Sequence, residues 1–353
     1  SLDEDVVVMW TGNGTMSVVS KAAYEWPKTY TGVDRNLASW WNYPVNDYCD
    51  GKLLMSPLET LYTDVDNLSG FFLNPMSQAE ASKVAIFSGA DYSWNIQDFD
   101  YMESWKEAIV RLVPDCNEAF ERFADNLSYL KDGFEFDESR YLTDKINALN
   151  TALQNGEGIK EAAEALKAEF ELMKEDVVAM RAMENEAMLA DIQPHLDAYD
   201  VLADAGRDGM TAYIAAVDGD IALCLSALES MKLNLAKTAE FTIDSLETNS
   251  TKTNVVEVGV KRIKPMLELA EAQVQAVLME KIAPSDEAKL VTNLEGIEAT
   301  VELTQGNYVV SDLTVSMKKD DYVGIKLPKA MKLSGIEVTG TPVDAMSIQT
   351  SLN

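Results

Sequence analysis

The chain is poor in the residues from which most hydrolytic and metal centres are built. In 353 residues it has one histidine, His195, and three cysteines, Cys49, Cys116 and Cys224. One imidazole and scattered thiols argue against Ser-His-Asp or Cys-His chemistry. An odd number of distant cysteines with no CxxC pair indicates neither a disulfide framework nor a zinc site. No metal and no cofactor is expected. His195 follows Pro194 in a helical pattern and reads as a structural or surface residue. Long apolar runs are also missing: none approaches the ~18 residues of a membrane span. Positive charge is short as well, with 29 Lys and Arg against 59 Asp and Glu and a net charge of −30. Such a surface repels phosphate backbones, which excludes nucleic acid as a partner, and it disfavours anionic membranes and polyanionic polymers. Tryptophan vanishes after Trp105, although all six lie within the first 105 residues. That change of composition predicts a domain boundary at about residue 113.

What is present divides into three patterns, and the length allows two or three domains at ~100–200 residues each. Residues 1–113 repeat strand, loop and helix. Val6 to Trp10 is a continuous apolar run, as a buried parallel strand requires. Thr11-Gly12-Asn13-Gly14 breaks it, and a helix is expected over about Met16 to Tyr24. Leu37 to Asn42 is a second strand, expected to stop before Pro44, which has no N–H for a ladder. Gly70 to Asn74 is a third, ended by Pro75. Ser77-Gln78-Ala79-Glu80 has the form of a capping box opening a helix toward Trp94. Another helix should cover Met102 to Val113. Such units build a parallel β/α fold. The strand ends bearing Trp10, Asn42 and Asn74 are expected to converge on one hollow, as at the mouth of a β/α barrel. Three units do not close a barrel of eight. This part is therefore expected to be an incomplete C-terminal piece of a (β/α)8 barrel.

Residues 114–290 read as a bundle of five or six helices. Ile159, Ala162, Leu166, Phe170, Met173, Val177 and Met180 recur three or four apart, as do Ile263, Leu267, Ala270, Val274 and Val277. Gln154-Asn155-Gly156-Glu157-Gly158 marks a helix–helix turn, and Asp218-Gly219-Asp220 a second break. From 291 to 353 the pattern turns to short alternating strands: Ile297 to Leu303, a turn at Gln305-Gly306-Asn307, Val309-Val310, Leu313 to Val315, Val323 to Leu327 and Leu333 to Val338. This is a small antiparallel β unit, expected to continue past Asn353.

The segment Trp40-Trp41-Asn42-Tyr43-Pro44-Val45-Asn46-Asp47-Tyr48 is the most informative. Two carboxamides and a carboxylate stand beside large aromatic faces where a strand ends. That set suits a neutral ligand with many hydroxyls, such as a sugar. The same residues equally describe a strand end whose tryptophans fill the core and whose Asn and Asp cap a turn.

Five blocks taken in order carry a resemblance. They are Met9-Trp10-Thr11-Gly12; Trp40 through Asp47; Gly70 through Asn74-Pro75-Met76; Ser82-Lys83; and Ala90-Asp91-Tyr92-Ser93-Trp94-Asn95. Together they resemble glycoside hydrolase family 84, the β-N-acetylglucosaminidases related to O-GlcNAcase and to hyaluronidase-like bacterial toxins. The resemblance spans roughly residues 5–112. It implies a retaining, substrate-assisted mechanism, an exception to the two-carboxylate scheme of most glycosidases. In it the 2-acetamido group attacks the anomeric carbon while two adjacent aspartates handle the protons. The family carries that pair before the Met-Trp-Thr-Gly block. Here the one Asp-Asp pair is Asp320-Asp321, which reads as a solvated turn, so no catalytic residue is expected in this chain. The resemblance assigns Asp47 to grip sugar hydroxyls, Asn42 and Asn74 to the pocket's carboxamides, and Trp40 to the wall near the acetamide. It implies terminal β-linked N-acetylglucosamine on glycans or glycoproteins as the partner. The strong negative charge favours these over polyanionic hyaluronan. A secreted or cell-surface bacterial location follows from the same resemblance. The alternative is a non-catalytic glycan- or protein-binding module that works through the bundle and the β unit.

Overall fold

In the computed structural model, the described residues are Asp3, 5–32, 34–131, 133–245, 250–281, 288–295, Ile297, 301–304, 307–310, Lys318 and 321–327. The chain opens with β1 (Met9–Trp10), α1 (Lys21–Thr31), β2 (Leu37–Pro44), β3 (Leu68–Asn74), α2 (Ala79–Trp94) and α3 (Tyr101–Leu112). The three strands form a parallel sheet in the order β1-β2-β3.

Several boundaries differ from expectation. The first strand is only two residues long, and Val6 and Val7 are exposed. Among the described residues β1 has a neighbour on one side only, so those valines have no second strand to pack against. The first helix begins later than the apolar pattern suggested. Ser20 caps it, its Oγ accepting from the Ala23 N–H at 3.3 Å. β2 runs through Pro44, beyond a cis Tyr43–Pro44 bond. The ladder shifts register between Trp41 and Pro44, so the missing N–H falls where regular pairing is already interrupted. No helix joins β2 to β3. The connection is an irregular segment that buries Leu53, Leu54, Met55, Leu58, Leu61 and Val65.

Six helices follow among the described residues: α4 (Asn117–Asp125), α5 (Thr143–Asn155), α6 (Ile159–Arg181), α7 (Glu186–Asp218), α8 (Ile221–Lys237) and, after the short pair β4 (Thr242–Asp244) and β5 (Thr253–Val255), α9 (Ile263–Lys281). The predicted stripe of α6 is buried except at Ala162, which is half-buried. Gly156 and Gly158 have φ of +73° and +75°, the left-handed backbone that turn requires. Gly219 ends α7, and the Asp220 carboxylate caps α8 by accepting from the Leu223 N–H at 3.0 Å. α7 packs against α6, α8 and α9. Gly206 of α7 lets the Phe170 ring of α6 approach so closely that a Cβ there would strike it.

The last described elements are β6 (Lys289–Thr292), β7 (Val301–Thr304), β8 (Asn307–Val310) and β9 (Val323–Lys326), paired antiparallel as β6-β9 and β7-β8. The strands expected over 313–315 and 333–338 lie outside the described residues. So does Asp320. Its neighbour Asp321 closes a turn, accepting the Lys318 N–H at 2.6 Å and donating its own to the Lys318 carbonyl at 3.1 Å. Among the described residues, no helix is long and apolar enough to cross a membrane. One hydrophobic core runs without a break from the sheet through the bundle, from Val19 and Trp41 to Tyr199 and Leu278.

Candidate functional site

Side chains alternate across a strand, and the two faces of this sheet differ sharply. Trp41 and Phe71 lie on one face, together with Trp10. There the Trp41 ring packs against Tyr43, Phe71 and Phe134, Tyr92 of α2 packs on Phe71, and Tyr24 of α1 hydrogen-bonds Ser39. Trp41 Nε1 donates to the Ser17 carbonyl at 2.9 Å. Tyr43 OH accepts the Ser56 N–H at 2.9 Å, and burial holds its phenol far above the ordinary range. The side of α2 can lie close because residue 89 is glycine; a Cβ there would come within 2.8 Å of Leu73.

The other face is open. Met9 pairs with Ala38, Ala38 with Gly70, and Trp40 with Phe72, which places all of them on it. Trp40 is 41% and Phe72 44% exposed. At the C-terminal end of this face, hydrogen bonds join three of the four residues singled out from sequence. Trp40 Nε1 donates to Asn42 Oδ1 at 3.0 Å, and Asn74 Nδ2 donates to the same oxygen at 3.2 Å. Asn42 Nδ2 in turn donates to the Thr15 carbonyl at 2.9 Å. A carboxamide oxygen has two lone pairs and its nitrogen two protons. Asn42 therefore keeps one N–H free, whereas Asn74 keeps its oxygen and one N–H.

Asp47 stands apart from this trio. It is exposed, in the turn after β2, and makes no hydrogen bond or ion pair with the described residues. Its carboxylate is free for a ligand. Trp10 does not join the group. It lies on the covered face and stacks on Trp26 of α1, ring centroids 5.9 Å apart. The convergence expected of three strand ends thus holds for Asn42 and Asn74 and fails for Trp10, because Trp10 pairs in register with Ser39 on the opposite side.

The turn carrying Asp47 is fastened at many points. Asn46 Nδ2 donates to the Lys52 carbonyl at 2.9 Å and to Gln78 Oε1 at 3.1 Å. Lys52 Nζ reaches Glu257 Oε2 at 2.6 Å and the Tyr129 carbonyl at 3.1 Å. The Gly51 carbonyl accepts from His195 Nε2 at 3.0 Å and from the Glu257 N–H at 2.8 Å. His195 is fully buried, and burial holds its imidazole down at about 4. It is a structural histidine. The predicted capping box at Ser77–Glu80 does not form. α2 starts where expected, but Asp191 of α7 caps it, Oδ2 accepting the N–H groups of Glu80 and Ala81 at 2.7 and 3.2 Å. Sequence reasoning read His195 as structural or at the surface but not its bond to Gly51, and it missed Phe72 and Asp191. Alternation with Asn74 in β3 could have found Phe72; no local signal marks Asp191 or the His195 bond.

The chain thus joins a three-stranded parallel sheet, polar and aromatic on one face, to a helical bundle through one core. A family model described as beta-N-acetylglucosaminidase matches residues 1–125, and one described as hyaluronidase post-catalytic domain-like matches residues 141–253. The solved structure of CpGH84D is similar over 78% of this chain and 46% of its own, at 25% identity and a TM-score of 0.74. CpGH84B is similar over 76% and 45%, at 27% identity and a TM-score of 0.67. A mutant of the Thermobaculum terrenum O-GlcNAc hydrolase, at 18% identity, shares the fold over 79% and 58%, with a TM-score of 0.67. Over these regions the chain is similar to glycoside hydrolase family 84 proteins. It spans about half the length of the solved structures it matches.

Proposed function

We propose that the chain is the C-terminal part of a retaining, substrate-assisted exo-β-N-acetylglucosaminidase acting on terminal β-linked N-acetylglucosamine of glycans or glycoproteins. In this reading residues 1–113 are the last strands and helices of a β/α barrel, 114–290 a helical bundle and 291–353 a β unit. The aspartates that transfer protons lie in a preceding segment of the longer protein, which works outside a bacterial cell or on its surface. The open face supports this reading most directly. Trp40 and Phe72 offer an exposed apolar wall beside the half-buried Asn74 carboxamide, which the buried Asn42 holds in place, and an apolar face beside a carboxamide is chemistry that suits a sugar ring and its acetamide. Asp47 would hold sugar hydroxyls. A hydrogen bond to a charged group contributes about 1.5–3 kcal/mol, against about 0.5–1.5 for a neutral one, so Asp47 ranks first among the ligands.

The test is hydrolysis of a chromogenic β-N-acetylglucosaminide. The purified chain should show none, and the longer protein carrying the aspartates should be active. Asp47→Ala in that protein should lower kcat/KM by about 10- to 150-fold, the loss of one charged hydrogen bond. Turnover by the isolated chain, abolished by Asp47→Ala, would overturn the assignment of proton transfer to a preceding segment.

A further inference from the structure

Two side chains one turn apart on α7 each hold one of the segments that leave the open face of the sheet. Asp191 and His195 are spaced i, i+4 and so share a side of the helix. Asp191 accepts two first-turn N–H groups of α2, the helix that begins five residues after Asn74. His195 donates to the Gly51 carbonyl, four residues after Asp47. The two held segments are themselves joined, Asn46 Nδ2 to Gln78 Oε1 at 3.1 Å. Gly51 is also closed in from the far side, because a Cβ there would drive into the Val255 carbonyl oxygen of β5. Asp50 accepts from Asn254 Nδ2 of the same strand at 2.9 Å.

The Nδ1 atom of His195 is buried and has no partner among the described residues. A ring that donates from Nε2 and leaves Nδ1 bare is the neutral tautomer, and nothing beside Nδ1 would accept a second proton's bond. A buried polar atom left unpartnered costs free energy. Packing alone would be served better by an apolar side chain. The polar contact to Gly51 is what a histidine adds there.

We infer that α7 is a clamp for the sugar site, with His195 and Asp191 as positioning residues that fix the Asp47 turn and the Asn74 strand end relative to each other. This rests on the reading of Asp47 and Asn74 as sugar ligands. It gives the helical bundle a part in substrate binding without any contact to substrate. Displacing a binding group by about 1 Å costs up to about 100-fold in rate, so loss of either hold should be felt at the sugar.

Two measurements test it. The first is hydrogen exchange on this chain. His195→Leu should speed exchange of the Cys49 and Lys52 amides, whose bonds close the turn, at least about tenfold, leaving α6 amides unchanged; His195→Gln, which keeps a donor for Gly51, should restore protection. The second is kcat/KM of the longer, active protein, where His195→Leu and Asp191→Ala should each lower it about 10- to 100-fold and His195→Gln should recover most of it. Unchanged exchange of the turn in a folded His195→Leu chain, or unchanged kcat/KM in both variants, overturns the clamp. Should His195→Leu fail to fold, the half-buried Asp191 decides the matter, because Asp191→Ala removes no core packing. If the wild-type longer protein has no activity on the sugar while the exchange result holds, the sugar reading fails and the mechanical hold stands.

Discussion

Asn42 uses nearly all of its hydrogen-bonding capacity inside the protein, while Asp47 uses none of its own. On the proposed reading, that contrast separates a residue that shapes the site from one that would grip the sugar. Asn42→Ala should loosen Trp40 and Asn74 together, since both donate to its oxygen; a fall in Trp40 fluorescence anisotropy decay time would report it. Two buried groups in the same region set the response to pH, with opposite signs. Burial depresses the His195 imidazole to about 4. Its contribution to stability is complete above its unfolded value near 6.5 and is lost as pH falls toward 4. Burial raises the Glu138 carboxyl to about 7. That contribution is complete below its unfolded value near 4.5 and is lost as pH rises toward 7. Each shift corresponds to about 3 kcal/mol at full extent. Urea unfolding of wild type and variants across pH 4 to 7 should therefore show the Glu138→Gln chain gaining on wild type as pH rises, and the His195→Gln chain gaining on wild type as pH falls. Curves that stay parallel across this window would contradict both assignments.

Among the elements, the strongly patterned ones could be read from sequence and the partnered ones could not. The stripe from Ile159 to Met180 became α6 because its period alone decides which side is buried. Gly156, Gly158 and Gly219 marked turns because only the left-handed backbone closes them. β1 came out shorter than its apolar run because a strand's length depends on the neighbours it finds. The start of α2 was legible, but its cap was not: Asp191 lies 111 positions away from Glu80. His195 and Gly51 are 144 apart. Contacts at such separations leave no periodic trace, which is why the bonds that hold the Asp47 turn and the start of α2 could not be read from sequence. The α6–α7 pair offers a direct check on packing. Gly206→Ala would favour the helix by up to about 1 kcal/mol in propensity, yet its Cβ meets the rigid Phe170 ring. Overpacking of this kind costs about 1–3 kcal/mol, so the melting temperature should fall. A rise would mean that the helices have room to separate.

For the whole molecule, the continuous core ties the sheet to the bundle, so a disturbance in one should reach the other. The bundle's helices hold the backbone that carries the candidate sugar ligands. The chain covers about half of the solved structures it resembles. On the proposed reading, the face bearing Trp40, Phe72, Asn42 and Asn74 is one wall of a sugar cavity completed by a preceding segment. A structure of the longer protein with N-acetylglucosamine bound is the decisive measurement. The sugar should lie against that face, with the Asp47 carboxylate within hydrogen-bonding distance of its ring hydroxyls and Asn74 beside its acetamide. A sugar bound elsewhere, with Asp47 still facing water, would contradict the assignment.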